Sequence, residues 1–471
     1  MFKEFRQPRR EVPVRATPPA PAADVPPRGA IPAAPPAAVR TDADPQADTV
    51  WHDIKQSLHE AILSQLNLGL IDQVDRAELR REIGALASPL LQQQGHSLGA
   101  DRFRQLVTEL LDEVLGLGPL EPLLADASIS DILVNGPDKI FVERRGLLER
   151  SPLRFRDEKH LLRIIDKIVS RVGRRIDESQ PWVDARLEDG SRVNAIIKPC
   201  AIDGASLSIR KFSADKLTLD KLVGYGALSD AAAQFLAACV QSRMNALISG
   251  GTGSGKTTML NAMSGFIDHR QRIVTIEDAA ELQLQQDHVV RLETRPANAE
   301  GTGLISQREL VKNALRMRPD RIVIGEVRGP EAFDMLQAMN TGHDGSMTTI
   351  HANTARDAIA RLEQMVVMIG ADFPLSAVRA QIGAGIQIVV QLNRLADGSR
   401  RVMSISEVTG LENGVVLMQD LFKFHKTGLD AEGRVTGRFG PTGIRPRCMD
   451  QLQAAGFDLP AGTFTAVQVV A

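Results

Sequence analysis

One loop and a few acids in this chain have the types and spacing to handle a nucleoside triphosphate. The stretch Ile248-Ser249-Gly250-Gly251-Thr252-Gly253-Ser254-Gly255-Lys256-Thr257-Thr258 fits G-x-x-x-x-G-K-[ST] at Gly250, Gly255, Lys256 and Thr257. Glycines let the backbone turn its N–H groups onto phosphate oxygens, and a helix starting there adds its N-terminal dipole. Gly250 through Gly255 would cradle the phosphates, with Thr258 beside them; Lys256 would neutralise the β/γ oxygens and the Thr257 hydroxyl would ligate Mg²⁺. With average residue usage the pattern arises by accident in about one or two chains in a hundred of this length. The apolar run Ala246-Leu247-Ile248 before it and Met259, Leu260, Ala262 and Met263 after it supply the strand and helix that the chemistry requires.

Acids follow two apolar runs further on. Glu277 and Asp278 come after Ile273-Val274-Thr275-Ile276, and Gly325 and Glu326 after Ile322-Val323-Ile324. Carboxylates at strand ends beside a phosphate loop suit two jobs, one supporting Mg²⁺ and one orienting or deprotonating the attacking water. Gly325 stands where a Walker B strand usually ends in Asp. The segment Thr341–Asn353 holds His343 and His351, eight apart and separated by glycine and a strand, which excludes a helical H-x-x-x-H zinc pair. They read either as structural groups or as sensors of the γ-phosphate or of a neighbouring subunit. Arg186, Arg192 and Arg210 lie on strand-like runs upstream, and arginines of a separate domain can stabilise transition-state charge. A two-residue turn at Asp189-Gly190 would pair Leu187 with Arg192 and send Arg186 and Arg192 to opposite faces.

The elements that must position these groups fall into blocks. Residues 1–48 carry 11 of the 25 prolines without helical or strand period and read as a disordered tail. Residues 51–116 read as a three-helix bundle, on stripes such as Leu79, Ile83, Leu86 and Leu90, with Asp75 and Ser97 as expected N-caps. Residues 117–212 read as an α+β module: a hairpin at Asn135-Gly136, a helix bearing Leu161, Ile165 and Ile168, a second turn at Asp189-Gly190 and a strand from Leu207. Residues 213–226 read as a polar linker. From 227 to 471, helix and strand alternate as in an α/β sheet covered on both faces, where ligands sit at the C-terminal ends of strands.

Composition narrows the function classes. The 471 residues suffice for two or three domains, and 43% hydrophobic content is ordinary for a globular protein. No apolar run approaches a membrane span, and the basic start lacks the apolar core of a signal peptide. Net charge −2 and 4% aromatic content argue against nucleic acid as partner. Cys200, Cys239 and Cys448 fit neither a disulfide framework nor a zinc site, so a reducing cytoplasm is the expected location.

Together the motifs resemble those of the secretion ATPases, the motors of type II secretion, type IV pili and type IV secretion. The loop, Thr275-Ile276-Glu277-Asp278, Arg316–Arg328 and Thr341–Asn353 are similar to that superfamily's Walker A, Asp, Walker B and His boxes, and the Gly325-Glu326 ending is its usual form. Leu115–Leu123, Val169–Arg175, Asp184–Leu187 and Gly342–Ser346 most resemble the motor of the Flp/Tad pilus. The resemblance implies a RecA-like C-terminal ATPase domain joined to a smaller α+β N-domain, six copies in a ring, and ATP with Mg²⁺ between the domains. It implies phosphate and metal contacts from Lys256 and Thr257, water activation by Glu277, metal support by Glu326, nucleotide contacts by Arg192 and Arg210, and sensing by His351. It further implies an inner-membrane platform protein as partner, hence a place at the inner face of that membrane. A conjugation or type IV secretion ATPase is the nearest alternative. A RecA-like nucleic-acid translocase and a scaffold that binds ATP without turnover are more distant ones.

Overall fold

The computed structural model describes residues 75–144, 146–212, 217–297, 301–370, 374–460 and 462–465, with isolated helical positions between 51 and 62. The expected tail, and Leu66 in the expected first helix, lie outside the described residues. Asp75 caps the helix Arg76–Gln93 by accepting from the Ala77 amide. The next helix, Ala100–Val114, is capped by Gly99 with no side-chain bond, so Ser97 does not serve as expected. Lys167 closes the other end of this helix, donating to the carbonyls of Val114, Leu115 and Gly116.

The first sheet, in the residues expected to form the N-domain, has six antiparallel strands: β1 (Ile129–Asn135), β2 (Ile140–Arg144), β3 (Leu147–Arg150), β4 (Trp182–Arg186), β5 (Arg192–Ile196) and β6 (Ser206–Arg210), in the order β3-β2-β1-β6-β5-β4. The helix Glu158–Arg171, capped by Asp157 accepting from the His160 amide at 2.7 Å, covers one face. Its buried stripe of Leu161, Ile164, Ile165 and Ile168 meets alternate strand residues such as Ile132, Val134, Val193 and Leu207. Burying each such side chain is worth roughly 1.5–3 kcal/mol. The other face carries charge.

The second sheet has nine strands. These are β7 (Ala246–Gly250), β8 (Ile273–Glu277), β9 (Val289–Glu293), β10 (Arg321–Val327), β11 (Met347–Ile350), β12 (Ile388–Arg394), β13 (Arg400–Glu412), β14 (Val415–Leu429) and β15 (Val435–Pro441). Their order is β15-β14-β13-β12-β7-β11-β10-β8-β9: six parallel strands, extended by the antiparallel β13–β15. The fold is thus α/β with mixed sheets. β7, β8 and β11 are buried along their whole length because helices pack on both faces, so they show no alternation of apolar and polar residues. The stretch expected to be a polar bridge is helical over Leu219–Gly224 and buries Leu219 and Leu222 in the core against the second sheet.

The first half of the Thr341–Asn353 segment is a clamp at the N-terminal end of β11. Arg321, fully buried, donates to Gln271 Oε1 (2.6 Å), the Gly345 carbonyl and the Val240 carbonyl, and burial lowers its pKa to about 10. Ser346 Oγ donates to the His343 carbonyl and accepts from the Ile322 amide. His343 therefore sits at the opposite end of β11 from His351. The structure does not place it among the strand ends that carry Glu277 and Glu326, so it gives no support to a phosphate-sensing role there.

Candidate active site

β7 ends at Gly250, and the helix Lys256–Ser264 begins after a loop in which Gly253 (φ 67°) and Gly255 (φ 96°) hold left-handed backbone. Gly250 has its own reason to be glycine, since a Cβ there would lie 2.6 Å from the Leu392 carbonyl oxygen. Ser254 Oγ donates to the Gly251 carbonyl, closing the loop on itself. Thr257 and Thr258 occupy the first helical turn. The Lys256 ammonium lies 3.6 Å from Glu326 Oε1 and donates to the Gly251 carbonyl at 3.2 Å. Burial lowers its pKa, and Glu326 partly offsets this.

β8 and β10 are parallel neighbours and bring their acids side by side. For Glu326, burial pushes the pKa up, but hydrogen bonds and charge from Arg328, with Lys256 and His351, outweigh it and hold the carboxyl below its ordinary range. Arg328 also reaches Asp278 Oδ2 at 3.2 Å. His351, just past β11, is the histidine that the fold brings to this end of the sheet. Glu277 differs in kind. It is 3% exposed, its Oε2 accepts from the amides of Glu281 (2.7 Å) and Leu282 (2.9 Å), and its Oε1 is buried with no hydrogen-bond partner. Burial raises its pKa to about 7 despite those two amides. Gly325 now has a physical reason: a Cβ there would come within 3.0 Å of Glu277 Cγ. The glycine at the end of β10 makes room for the acid at the end of β8.

The N-domain arginines are arranged differently from the sequence expectation. Arg186 pairs directly with Arg192, so the two lie on the same face, not opposite ones. The loop runs over Leu187–Ser191, with Asp189 accepting from the amide and hydroxyl of Ser191, and this longer connection resets the register. Arg192 in turn pairs with Arg210, Arg210 with Asp131, and Asp131 with Glu143. One charged row therefore crosses five strands. Arg186 binds Glu293 of β9 at 3.0 Å and Arg192 binds Glu281, just past β8, at 2.7 Å, so both carboxylates belong to the second sheet's side. Arg210 is held by Asp131 at 3.1 Å, which overcomes the effect of burial and raises its pKa.

Between this row and the loop lies a cleft of ≈ 210 Å³, lined by Arg192, Arg210, Phe212, Thr257, Thr258 and Glu281, among others. The structure thus brings Arg192, Arg210 and the loop threonines to one cavity, leaves Arg186 outside it on Glu293, and gathers Lys256, Glu326 and Glu277 at the adjoining strand ends. Sequence reading missed Glu281, Glu293 and Arg328. All three fall within or beside the motifs, but only register shows what they bind. Among the described residues no group of three or more His, Cys, Asp or Glu side chains forms a metal cage. Mg²⁺ needs none, since it keeps waters and takes one or two protein ligands plus phosphate oxygens. The Thr257 hydroxyl in the first turn and the Glu326 carboxylate, which already faces a cation, fit that requirement.

Three known proteins are similar to this chain. A Mycobacterium tuberculosis relative is 41% identical over 312 residues, covering 65% of this chain and 88% of its own. The type IV secretion system protein PtlH of Bordetella pertussis is 36% identical over 315 residues, covering 60% and 91%. The conjugal transfer protein TrbB of Rhizobium radiobacter is 32% identical over 295 residues, covering 62% and 87%. With residues 113–438 matching the family model described as Type II/IV secretion system protein, a span that includes every element of the site just described, the chain belongs to that family.

Proposed function

We propose that this chain is an ATP-hydrolysing motor that powers a Flp/Tad-type pilus from the inner face of the inner membrane, as six copies in a ring acting on a membrane platform protein. The observation that carries the hydrolytic half is the cleft that sets Arg192 and Arg210 opposite Thr257 and Thr258. The Tad-type assignment rests on the segments Leu115–Leu123, Val169–Arg175 and Gly342–Ser346. No described helix is long and apolar enough to cross a membrane; attachment through the platform partner rests on the resemblance to the pilus motors.

In this reading the amides of Gly250–Gly255 and the Lys256 ammonium bind the phosphates, Lys256 exchanging Glu326 and Gly251 for the nucleotide. Mg²⁺, entering with ATP, would be held by Thr257 and Glu326 and would neutralise charge on the transferred phosphoryl group. Glu277 takes the proton from the attacking water at Oε1, while the two amides on Oε2 keep the carboxyl aimed. Arg192 and Arg210 stabilise the developing charge from the N-domain, leaving Glu281 and Asp131 to do so. His351 reads the state of Glu326. Exchanging these ion pairs moves one sheet relative to the other, and that displacement is the mechanical output.

A second reading, a type IV secretion or conjugation ATPase, is favoured by the names of TrbB and PtlH. Phosphate release with and without the cytoplasmic part of a Tad-type platform protein separates the two. Stimulation by the Tad platform is the expected result; stimulation only by a conjugation-system partner would replace the first reading with the second.

A further inference from the structure

Two arginines lie against the phosphate loop and have no part in the scheme above. Arg394 and Arg400 face each other across the β12–β13 hairpin. Asp397 stiffens the turn between them, accepting from the amide and hydroxyl of Ser399 and from the Val435 amide of β15. Arg400 Nε donates to the Gly253 carbonyl, inside the phosphate loop, at 2.8 Å, and its Nη2 lies 3.4 Å from Glu143 Oε1. Arg394 Nη1 lies 3.4 Å from the other oxygen of the same carboxylate, and its Nη2 donates to the Gly146 carbonyl.

Glu143 and Gly146 belong to the N-domain, on β2 and in the β2–β3 turn. Gly146 (φ 84°) allows the two turns to meet backbone to backbone, since a Cβ there would come 3.1 Å from the Gly398 carbonyl oxygen. Glu143 also ends the charged row that begins with Arg186, Arg192 and Arg210. The carboxylate that grips the hairpin and the arginines that line the cleft are therefore carried by one sheet.

We propose that Arg400 is a positioning residue for the phosphate loop and that Glu143 is the N-domain's hold on it. A phosphate-binding loop works only while its amides point inward, and with Gly253 and Gly255 both left-handed that requires the Gly253 carbonyl to face away from the phosphates. Arg400 supplies a donor on that outer side. Its planar fork serves a carbonyl and a carboxylate at once, which makes the loop's shape depend on where β2 stands. The N-domain thus acts on the nucleotide by two routes: directly through Arg192 and Arg210, and through the loop by way of Glu143 and Arg400. This rests on the reading of the loop as a nucleotide site.

The test is binding of a fluorescent ADP analogue to the purified full chain. Arg400→Gln is expected to weaken binding about fivefold, the loss of one charge-assisted hydrogen bond, and Glu143→Gln about threefold. The double variant is expected to lie within about twofold of Arg400→Gln, because Glu143 acts mainly through Arg400. Arg400→Lys, which keeps one charged donor but loses the fork, is expected to fall between Arg400→Gln and wild type. Multiplying single effects in the double variant, or wild-type binding by Arg400→Gln, overturns the proposal while leaving the nucleotide site standing. Failure of the wild-type chain to bind ADP overturns both.

Discussion

Lys256→Ala is expected to lower ATP turnover by about a hundredfold or more, with nucleotide binding lost in parallel. The ammonium is held poised and not spent, 3.6 Å from Glu326 and bonded to one carbonyl of its own loop. Burial lowers its pKa, so a phosphate oxygen arriving beside it meets a cation whose present partners satisfy it only in part. Alanine removes that charge and leaves Glu326 to Arg328 and His351, where the carboxylate loses its partner on the loop. Phosphate release and titration with the fluorescent ADP analogue check the expectation. Binding within threefold of wild type would mean that the loop amides suffice without the lysine.

Glu277→Gln carries the second large effect, a fall in turnover of about 10² to 10⁴ with ADP affinity within a few-fold of wild type. A base must be ionised to accept a proton, and Glu277 is raised from 4.5 to about 7 by burial. The wild-type kcat/KM should therefore rise with pH through an acid limb near 7, and the Gln variant should lack that limb. Stability gives an independent sign. Because the folded-state pKa lies above the unfolded one, the folded chain binds the extra proton between about pH 4.5 and 7, and this contribution is lost as pH rises through 7. Above that window the ionised, buried carboxyl costs up to about 3 kcal/mol relative to low pH. Thermal melting from pH 5 to 8 should show wild type losing stability relative to Glu277→Gln. A constant difference between the two across that range would remove Glu277 from the role of buried base.

Much of the site was legible because local pattern and chemistry coincide there. The loop reads from eight residues, and β7, β8 and β10 announce themselves through short apolar runs, so the acids after β8 and β10 could be named in advance. Gly325 looked like a departure until the neighbouring strand supplied Glu277 Cγ at the distance a Cβ would need. What the sequence could not yield is register and pairing. A five-residue connection in place of a two-residue turn moved Arg186 to the same face as Arg192. The acids that hold these arginines, Glu281 and Glu293, lie about ninety or more residues away from them. The strands β12–β15 were also not anticipated: β12 is a buried run, Ile388 to Leu392, that was not read as a strand, and β13–β15 mix buried and exposed residues irregularly, with register shifts in each antiparallel pair, so no clean period of two survives in the sequence. Arg394 and Arg400 were invisible for the same reason.

The central claim is that the phosphate loop is only half of the site and that the N-domain supplies the other half. Single-turnover phosphate release from the purified chain carrying Arg210→Ala, with ADP affinity measured alongside, tests it most directly. Arg210 borders the cleft beside Thr257, and its ion pair, with Asp131, lies within its own sheet, so its removal leaves the loop and both acids in place. A rate at least about tenfold below wild type, with affinity within threefold, is the predicted result. An unchanged rate would contradict the account and place the whole of the chemistry on the loop-bearing domain.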